Sequence, residues 1–393
     1  MLNTNFSPWP SFTQEEADAV QRVLLSNKVN YWTGTEGREF EKEFAGWCES
    51  DYAIAVANGT VALDLAWVAL GIGKGDEVVV TSRTFLASVS SIVNAGATPV
   101  FADVSMDSQN ITPESVKAVI TSKTKAILAV HLAGWPCDMD GLMELADEYH
   151  LKVVEDCAQA HGAKYKGKPV GSIGHIGAWS FCQDKIMSTG GEGGMVTTND
   201  RELCSKMWSY KDHGKSWSSI YEKEHPPGFR WLHDSFGTNW RMTEMQAAIG
   251  RIQLTRMPVW HQKRTANARN ILEVCAQFAA LRVPNVPDDI DHAWYKCYVF
   301  VKPKALKEGW DRDRIMREIN ALSVPCFSGS CSEVYLEKAF DETGFRPKEN
   351  LPVAKALGET SLMFLVHPTL TDEELCKACN VIHTVMSQAS ISH

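Results

Sequence analysis

The chain has 393 residues, 44% hydrophobic and 22% charged, a balance typical of a globular protein with one large and one smaller domain. A formal net charge of −9 argues against nucleic acid as the main partner, because phosphate binding needs an excess of Lys and Arg. No apolar run approaches the roughly 20 residues that span a bilayer, and the first residues lack the features of a signal peptide, so a cytoplasmic protein without membrane contact is expected. Eleven cysteines, scattered and mostly within apolar segments, suit reduced thiols. The one CxxC, Cys376–Cys379, falls inside a helical pattern without a second pair, so no metal is expected there.

In chain order, Thr13 with Glu16 three residues on forms a capping box that opens a helix to Ser26. Tyr31-Trp32-Thr33-Gly34 is a turn-rich aromatic stretch, suited to core packing or to bordering a sugar pocket, before a second helix over 36–49. A strand at Ala53–Ala57 runs through Asn58-Gly59-Thr60 into a helix ending near Leu70. Strands at 77–81, 99–103, 126–131 and 152–155 alternate with helices around 86–95, 112–120 and 139–150, which implies a mostly parallel sheet with helices on both faces. Two further short strands are expected at 176–181 and 195–198. After Asp200 the chain turns helical, then loop-rich from His213 to Gly237, before an amphipathic helix that follows Thr243. Pro258 marks the expected boundary between a large domain, 1–258, and a small α/β domain, 259–393. The latter has strands at 295–302 and 361–366, a helix over 312–321 and a last helix from Thr371.

Polar groups sit where parallel strands end, the edge at which such sheets bind ligands: Asp156 and Gln159 after one strand, Ser180 and Lys185 after another. Gly59 and Thr60 open a helix, where free N–H groups and the dipole favour a phosphate. Phe85 follows a third strand and can stack on a flat ring. A carboxylate to protonate a pyridine nitrogen, a lysine to form a Schiff base, a phosphate cradle and an aromatic wall together suit pyridoxal 5′-phosphate (PLP). Singly, each has a plainer explanation as a cap, a turn or a solvated charge. His131 and His161 beside Asp156 also admit a metal-dependent hydrolase, although no metal-ligand spacing such as HxxxH is present.

These motifs resemble those of the DegT/DnrJ/EryC1/StrS sugar aminotransferases, of the fold-type I PLP-dependent transferases. The resemblance is carried by Asn58-Gly-Thr-Val-Ala-Leu, Gly96-Ala-Thr-Pro-Val-Phe-Ala-Asp103, Glu155-Asp-Cys-Ala-Gln-Ala-His-Gly162 and Ser180-Phe-Cys-Gln-Asp-Lys185 before Gly190-Gly-Glu-Gly-Gly194. It continues in Gly237-Thr-Asn-Trp-Arg-Met-Thr-Glu-Met-Gln246 and His367-Pro-Thr-Leu-Thr371. It implies that Lys185 bears the Schiff base, Asp156 pairs with the pyridine nitrogen, and Gln159 meets the ring hydroxyl. By the same resemblance Ser180, Gly59 and Thr60 hold the phosphate, Phe85 stacks on the ring, and Asn239 reaches the cofactor of a partner subunit in a homodimer. Cys182-Gln-Asp184 departs from relatives that carry His and a small polar residue there, and Asp184 puts a charge beside Lys185.

The expected activity is transfer of an amino group from an amino acid, L-glutamate, to a keto- or aldehyde-sugar. Segments 326–335 and 364–369 are similar to the branch that makes 8-amino-3,8-dideoxy-manno-octulosonate for lipopolysaccharide. For such an acidic acceptor Lys215, Arg230, His233 and Arg241 are candidate substrate residues; a nucleotide-linked ketosugar is the alternative acceptor. Lys185 argues against a family dehydratase, which carries His there, and the presence of both Lys185 and Asp156 argues against a non-catalytic regulator.

Overall fold

Short runs rich in Val, Ile and Ala, each closed by Gly or a polar residue, form the central sheet of the computed structural model, which describes residues 6–391. They are β1 (Tyr52–Val56), β2 (Glu77–Thr81), β3 (Thr98–Ala102), β4 (Thr124–Val130), β5 (Lys152–Asp156), β6 (Ile176–Ser180) and β7 (Gly194–Thr198). Their order across the sheet is β1-β7-β6-β5-β4-β2-β3. The run from β6 to β3 is parallel, and β7 is antiparallel to both of its neighbours. The mostly parallel α/β sheet expected from the alternation is therefore present. Val153, Val154 and Ile176 are wholly buried, as strands covered on both faces require.

Because β1, β2, β4, β5 and β6 run in one direction, their carboxyl ends share one edge. The helices fix what that edge presents. Chain order gives α1 (Gln14–Leu25), α2 (Glu36–Trp47), α3 (Gly59–Leu70) and α4 (Leu86–Asn94). The Asn58 side chain caps α3 by accepting from the Val61 N–H at 3.0 Å, and Gly71 ends it with a left-handed φ of 70°, which costs Gly little. The α3 helix is apolar on most sides and buries Leu65, Ala66 and Trp67. The Trp67 indole donates to Ser91 on α4 at 3.0 Å, locking the two helices together.

Pro258 does not end a helix. It lies inside α5 (Glu244–Cys275), a helix of 32 residues and about 48 Å opened by a Thr243/Gln246 capping box. Proline removes one ladder hydrogen bond there, but α5 packs against α1, α2 and the last helix, α6 (Asp372–Ala389), and buries Leu254, Met257, Ala268 and Ile271. Tertiary packing along the whole length outweighs one local defect. The helix expected over 112–120 is also shorter, Pro113–Lys117.

The C-terminal part has its own antiparallel sheet, β8 (Leu281–Arg282), β9 (Cys297–Val301), β10 (Cys326–Phe327) and β11 (Ser361–Phe364), in the order β8-β9-β11-β10. A helix over Arg312–Ala321 and α6 cover it, and Val299, Leu362, Ile315, Ile382 and Met386 form its core. We propose the small domain as the unit built on this sheet; a division at 258 cuts a continuous helix.

Candidate functional site

The shared carboxyl edge and the C-terminal sheet enclose a cavity of about 1100 Å³. Gly59, Thr60, Phe85, Asp156, Gln159, Ser180 and Lys185 all line it. Asp156 ends β5 and is 6% exposed. Its Oδ2 accepts from the Ser88 hydroxyl at 2.7 Å and its Oδ1 from the Ala158 N–H at 3.1 Å, which leaves lone pairs that the protein does not claim. The Gln159 Oε1 accepts from the Ala133 N–H at 2.8 Å, so the amide nitrogen is the free end of that side chain.

At the start of α3, Asn58 takes the Val61 N–H and leaves those of Gly59 and Thr60 without a protein acceptor among the described residues. A Cβ on Gly59 would stand 2.5 Å from the Ser180 Cβ, so only glycine lets the helix terminus approach β6 this closely. Among the described residues the Ser180 Oγ receives only a long contact from the Cys182 N–H, 3.4 Å, and its proton has no acceptor. Two N–H groups, a helix dipole and a hydroxyl thus converge as a phosphate cradle. Phe85 stands beside it with 70% of its surface exposed, an uncovered ring at the cavity wall.

Lys185 is held by its main chain. Its N–H donates to Cys182 O at 3.1 Å, and its carbonyl accepts from the Trp9 indole at 2.8 Å. Its ammonium lies 3.5 Å from the Asp184 carboxylate and over the Tyr295 ring, 5.3 Å from the centroid. The Tyr295 hydroxyl donates to the other Asp184 oxygen. Partial desolvation at the cavity wall opposes the charge of the otherwise exposed Asp184 side chain, but Lys185, the Tyr295 hydroxyl and Lys296 outweigh it and hold the carboxyl below its usual range. Burial, then Asp184, pushes the Tyr295 phenol well up. Tyr295 and Lys296 were not singled out from the sequence; their only signal is a Tyr–Lys pair interrupting an apolar run.

The hydrolase alternative fails on geometry. His131 Nδ1 accepts from the Cys137 N–H at 3.0 Å, so its Nε2 carries the proton and donates to Glu155 at 2.9 Å. Glu155 also accepts from the N–H groups of Gly171, Ile173 and Gly174, a fully occupied carboxylate. His161 is fully buried against Trp179 and Phe181, and its pKa is pushed down to about 3 by burial, with Lys185 and Arg264 adding to it. His131, Asp156 and His161 do not meet as ligands: the group that does come together is His131, Glu155 and Cys157, and its histidine nitrogens are already engaged. All eleven cysteines are free thiols.

The four loop cations are not gathered at the cavity either. Lys215 and Arg241 both pair with the buried Asp212, at 3.1 and 2.6 Å. Arg230 and His233 are exposed and line no part of the cavity. Tyr31 and Trp32 serve packing: Tyr31 is buried under the Lys211 ammonium, and Trp32 meets Trp208 edge to face.

The model of the DegT/DnrJ/EryC1/StrS aminotransferase family matches residues 10–383. This chain belongs to that family. It is a PLP-dependent sugar aminotransferase, and the cradle, carboxylate and amine just described fit that cofactor. It is 36% identical over 372 residues to the dTDP-3-amino-3,4,6-trideoxy-alpha-D-glucose transaminase of Streptomyces venezuelae, covering 94% of this chain and 91% of that one. An aminotransferase structure from Psychrobacter cryohalolentis is 68% identical with a TM-score of 0.96, over 97% of this chain and 99% of that one. A Streptococcus pneumoniae structure in its PLP form is 26% identical with a TM-score of 0.86, over 98% and 99%.

Proposed function

We propose that this aminotransferase moves the amino group of an α-amino acid, L-glutamate, to the keto carbon of a nucleotide-linked sugar. The observation that carries the chemistry is the convergence of Lys185, Asp156 and the α3 terminus on one cavity. Bound there, PLP supplies an aldehyde that exchanges amines and a ring that withdraws electrons. Lys185 would hold the cofactor covalently and would carry the proton to and from the substrate carbon. Asp156 would keep the ring nitrogen protonated, and the Gln159 amide would serve the ring hydroxyl. Gly59, Thr60 and Ser180 would hold the phosphate, and Phe85 would pack against the ring.

For the acceptor, the similarity to a transaminase named for a dTDP-linked sugar supports the nucleotide-linked reading. The acidic octulosonate reading loses the support of Lys215 and Arg241, since Asp212 already pairs with both. One observation still favours it: Phe327, Gly329, Ser330, Cys331 and Leu365, from the two segments similar to that branch, line the cavity. The test is to convert the enzyme to its pyridoxamine form, then offer a nucleotide-linked ketosugar and 3,8-dideoxy-8-oxo-manno-octulosonate separately. Faster return of the PLP absorbance with the nucleotide sugar is expected; return with the octulosonate alone would reverse the assignment.

The working unit is, in this reading, a cytoplasmic homodimer. Among the described residues no helix is long and apolar enough to cross a membrane. Phe229, Trp231 and Phe236 stand 79%, 82% and 97% exposed on the 213–241 loop, an apolar cost that a second subunit would remove. Asn239 lies outside its own subunit's cavity, as a residue that serves the partner's phosphate must. Asn239→Ala is therefore expected to weaken PLP retention about tenfold, the loss of one bond to a charged group, with kcat little changed when PLP is saturating. Equilibrium dialysis measures the retention, and an unchanged affinity, or a fully active monomer in sedimentation, refutes the shared site.

A further inference from the structure

A transaminase must neutralise the α-carboxylate of its donor, which lies one bond from the reacting carbon. Among the described residues of one subunit, the charged side chains lining this cavity are Asp156, Asp184, Glu192 and Glu337 against only two cations, Lys185 and Lys296. Lys185 is committed to the cofactor. We propose that Lys296 is the receptor for the donor's α-carboxylate.

The position suits that role. The ammonium groups of Lys185 and Lys296 both lie against one aromatic ring, 5.3 and 4.8 Å from the Tyr295 centroid, so a donor whose amino group takes the place of the Lys185 amine on the cofactor would bring its carboxylate into the neighbourhood of Lys296. Lys296 immediately precedes β9, whose pairing with β8 and β11 fixes its main chain. Its Nζ has no hydrogen-bond or ion-pair partner among the described residues; Asp184 is spent on Lys185 and Tyr295. Burial pushes the Lys296 pKa down to about 8; Asp184 opposes this, while Arg264 and Lys185 add to it. An unpaired ammonium held in this way gains from any carboxylate that arrives. The other nearby cation cannot substitute: Arg264 is fully buried, is not on the cavity wall, and turns one guanidinium nitrogen to the carbonyl of Trp294.

The inference rests on the aminotransferase activity, and the half-reactions separate the two. The PLP form of the enzyme is mixed rapidly with L-glutamate or L-glutamine, and the loss of its visible absorbance is followed against concentration. The pyridoxamine form is mixed with 2-oxoglutarate, and separately with the acceptor sugar. In Lys296→Met the apparent Kd for donor and for 2-oxoglutarate is expected to rise about 10- to 100-fold, the loss of one charge-assisted bond, with a smaller change in the limiting rate. Lys296→Arg should recover most of the affinity, and the acceptor half-reaction should stay within about threefold, as expected when the lost contact is not made by that substrate. The proposal is overturned if donor affinity is unchanged, or if only the acceptor half-reaction suffers, which would assign Lys296 to an anionic group of the acceptor. A Lys296→Met variant that no longer holds PLP would be replaced by Lys296→Gln, read by the same titrations. Wild-type enzyme that reacts with neither amino acid would instead tell against an amino-acid donor of this kind.

Discussion

Lys185→Ala is expected to abolish turnover and covalent cofactor attachment while leaving the fold intact. A positioned acid–base group alone contributes on the order of 10²–10⁴-fold, and in the proposed function the same amine also forms the covalent bond, so the expected loss exceeds 10⁴-fold. The fold should survive, because the residue's structural contacts are made by its main chain, to Cys182 O and from the Trp9 indole. The ammonium's ion-pair partner, Asp184, has a side chain 59% exposed and keeps the Tyr295 hydroxyl after the change. Borohydride reduction followed by denaturation and mass measurement decides the matter. Wild type should carry one added cofactor mass and the variant none; a variant still labelled would place the attachment on another lysine.

Why Lys185 is legible in the sequence, and Lys296 is not, is a matter of what local pattern encodes. Strand ends, Gly-rich turns and caps are short-range features, so the edge carrying Asn58, Phe85, Asp156 and Ser180 follows from the alternation of elements alone. Which residue faces that edge from a sheet more than a hundred positions away depends on how the two sheets dock. That hides Tyr295 and Lys296, which in sequence merely open an apolar strand. Charge type in a loop is equally mute about pairing: Lys215 and Arg241 read as anion receptors until Asp212, buried between them, is seen to take both. At Pro258 the local rule is sound, yet the helix continues through it, because packing along 32 residues outweighs one missing hydrogen bond.

Asp156→Asn tests the second member of the proposed catalytic pair without disturbing its frame. The replacement is isosteric: the amide oxygen can keep the Ala158 N–H, and the amide nitrogen can donate to the Ser88 hydroxyl, which rotates to accept. What disappears is the negative charge at the end of β5, among the residues lining the cavity the one proposed to stabilise a proton on the pyridine nitrogen. Without that proton the ring withdraws electrons poorly, and removal of the substrate proton by Lys185 should slow by roughly 10²–10⁴-fold. PLP retention should change far less, since the phosphate cradle at Gly59, Thr60 and Ser180 belongs to different elements. Rapid mixing of the PLP form with L-glutamate reads the first quantity and equilibrium dialysis the second. A variant that transaminates at the wild-type rate would remove Asp156 from the chemistry, and one that loses PLP altogether would make it a binding residue instead.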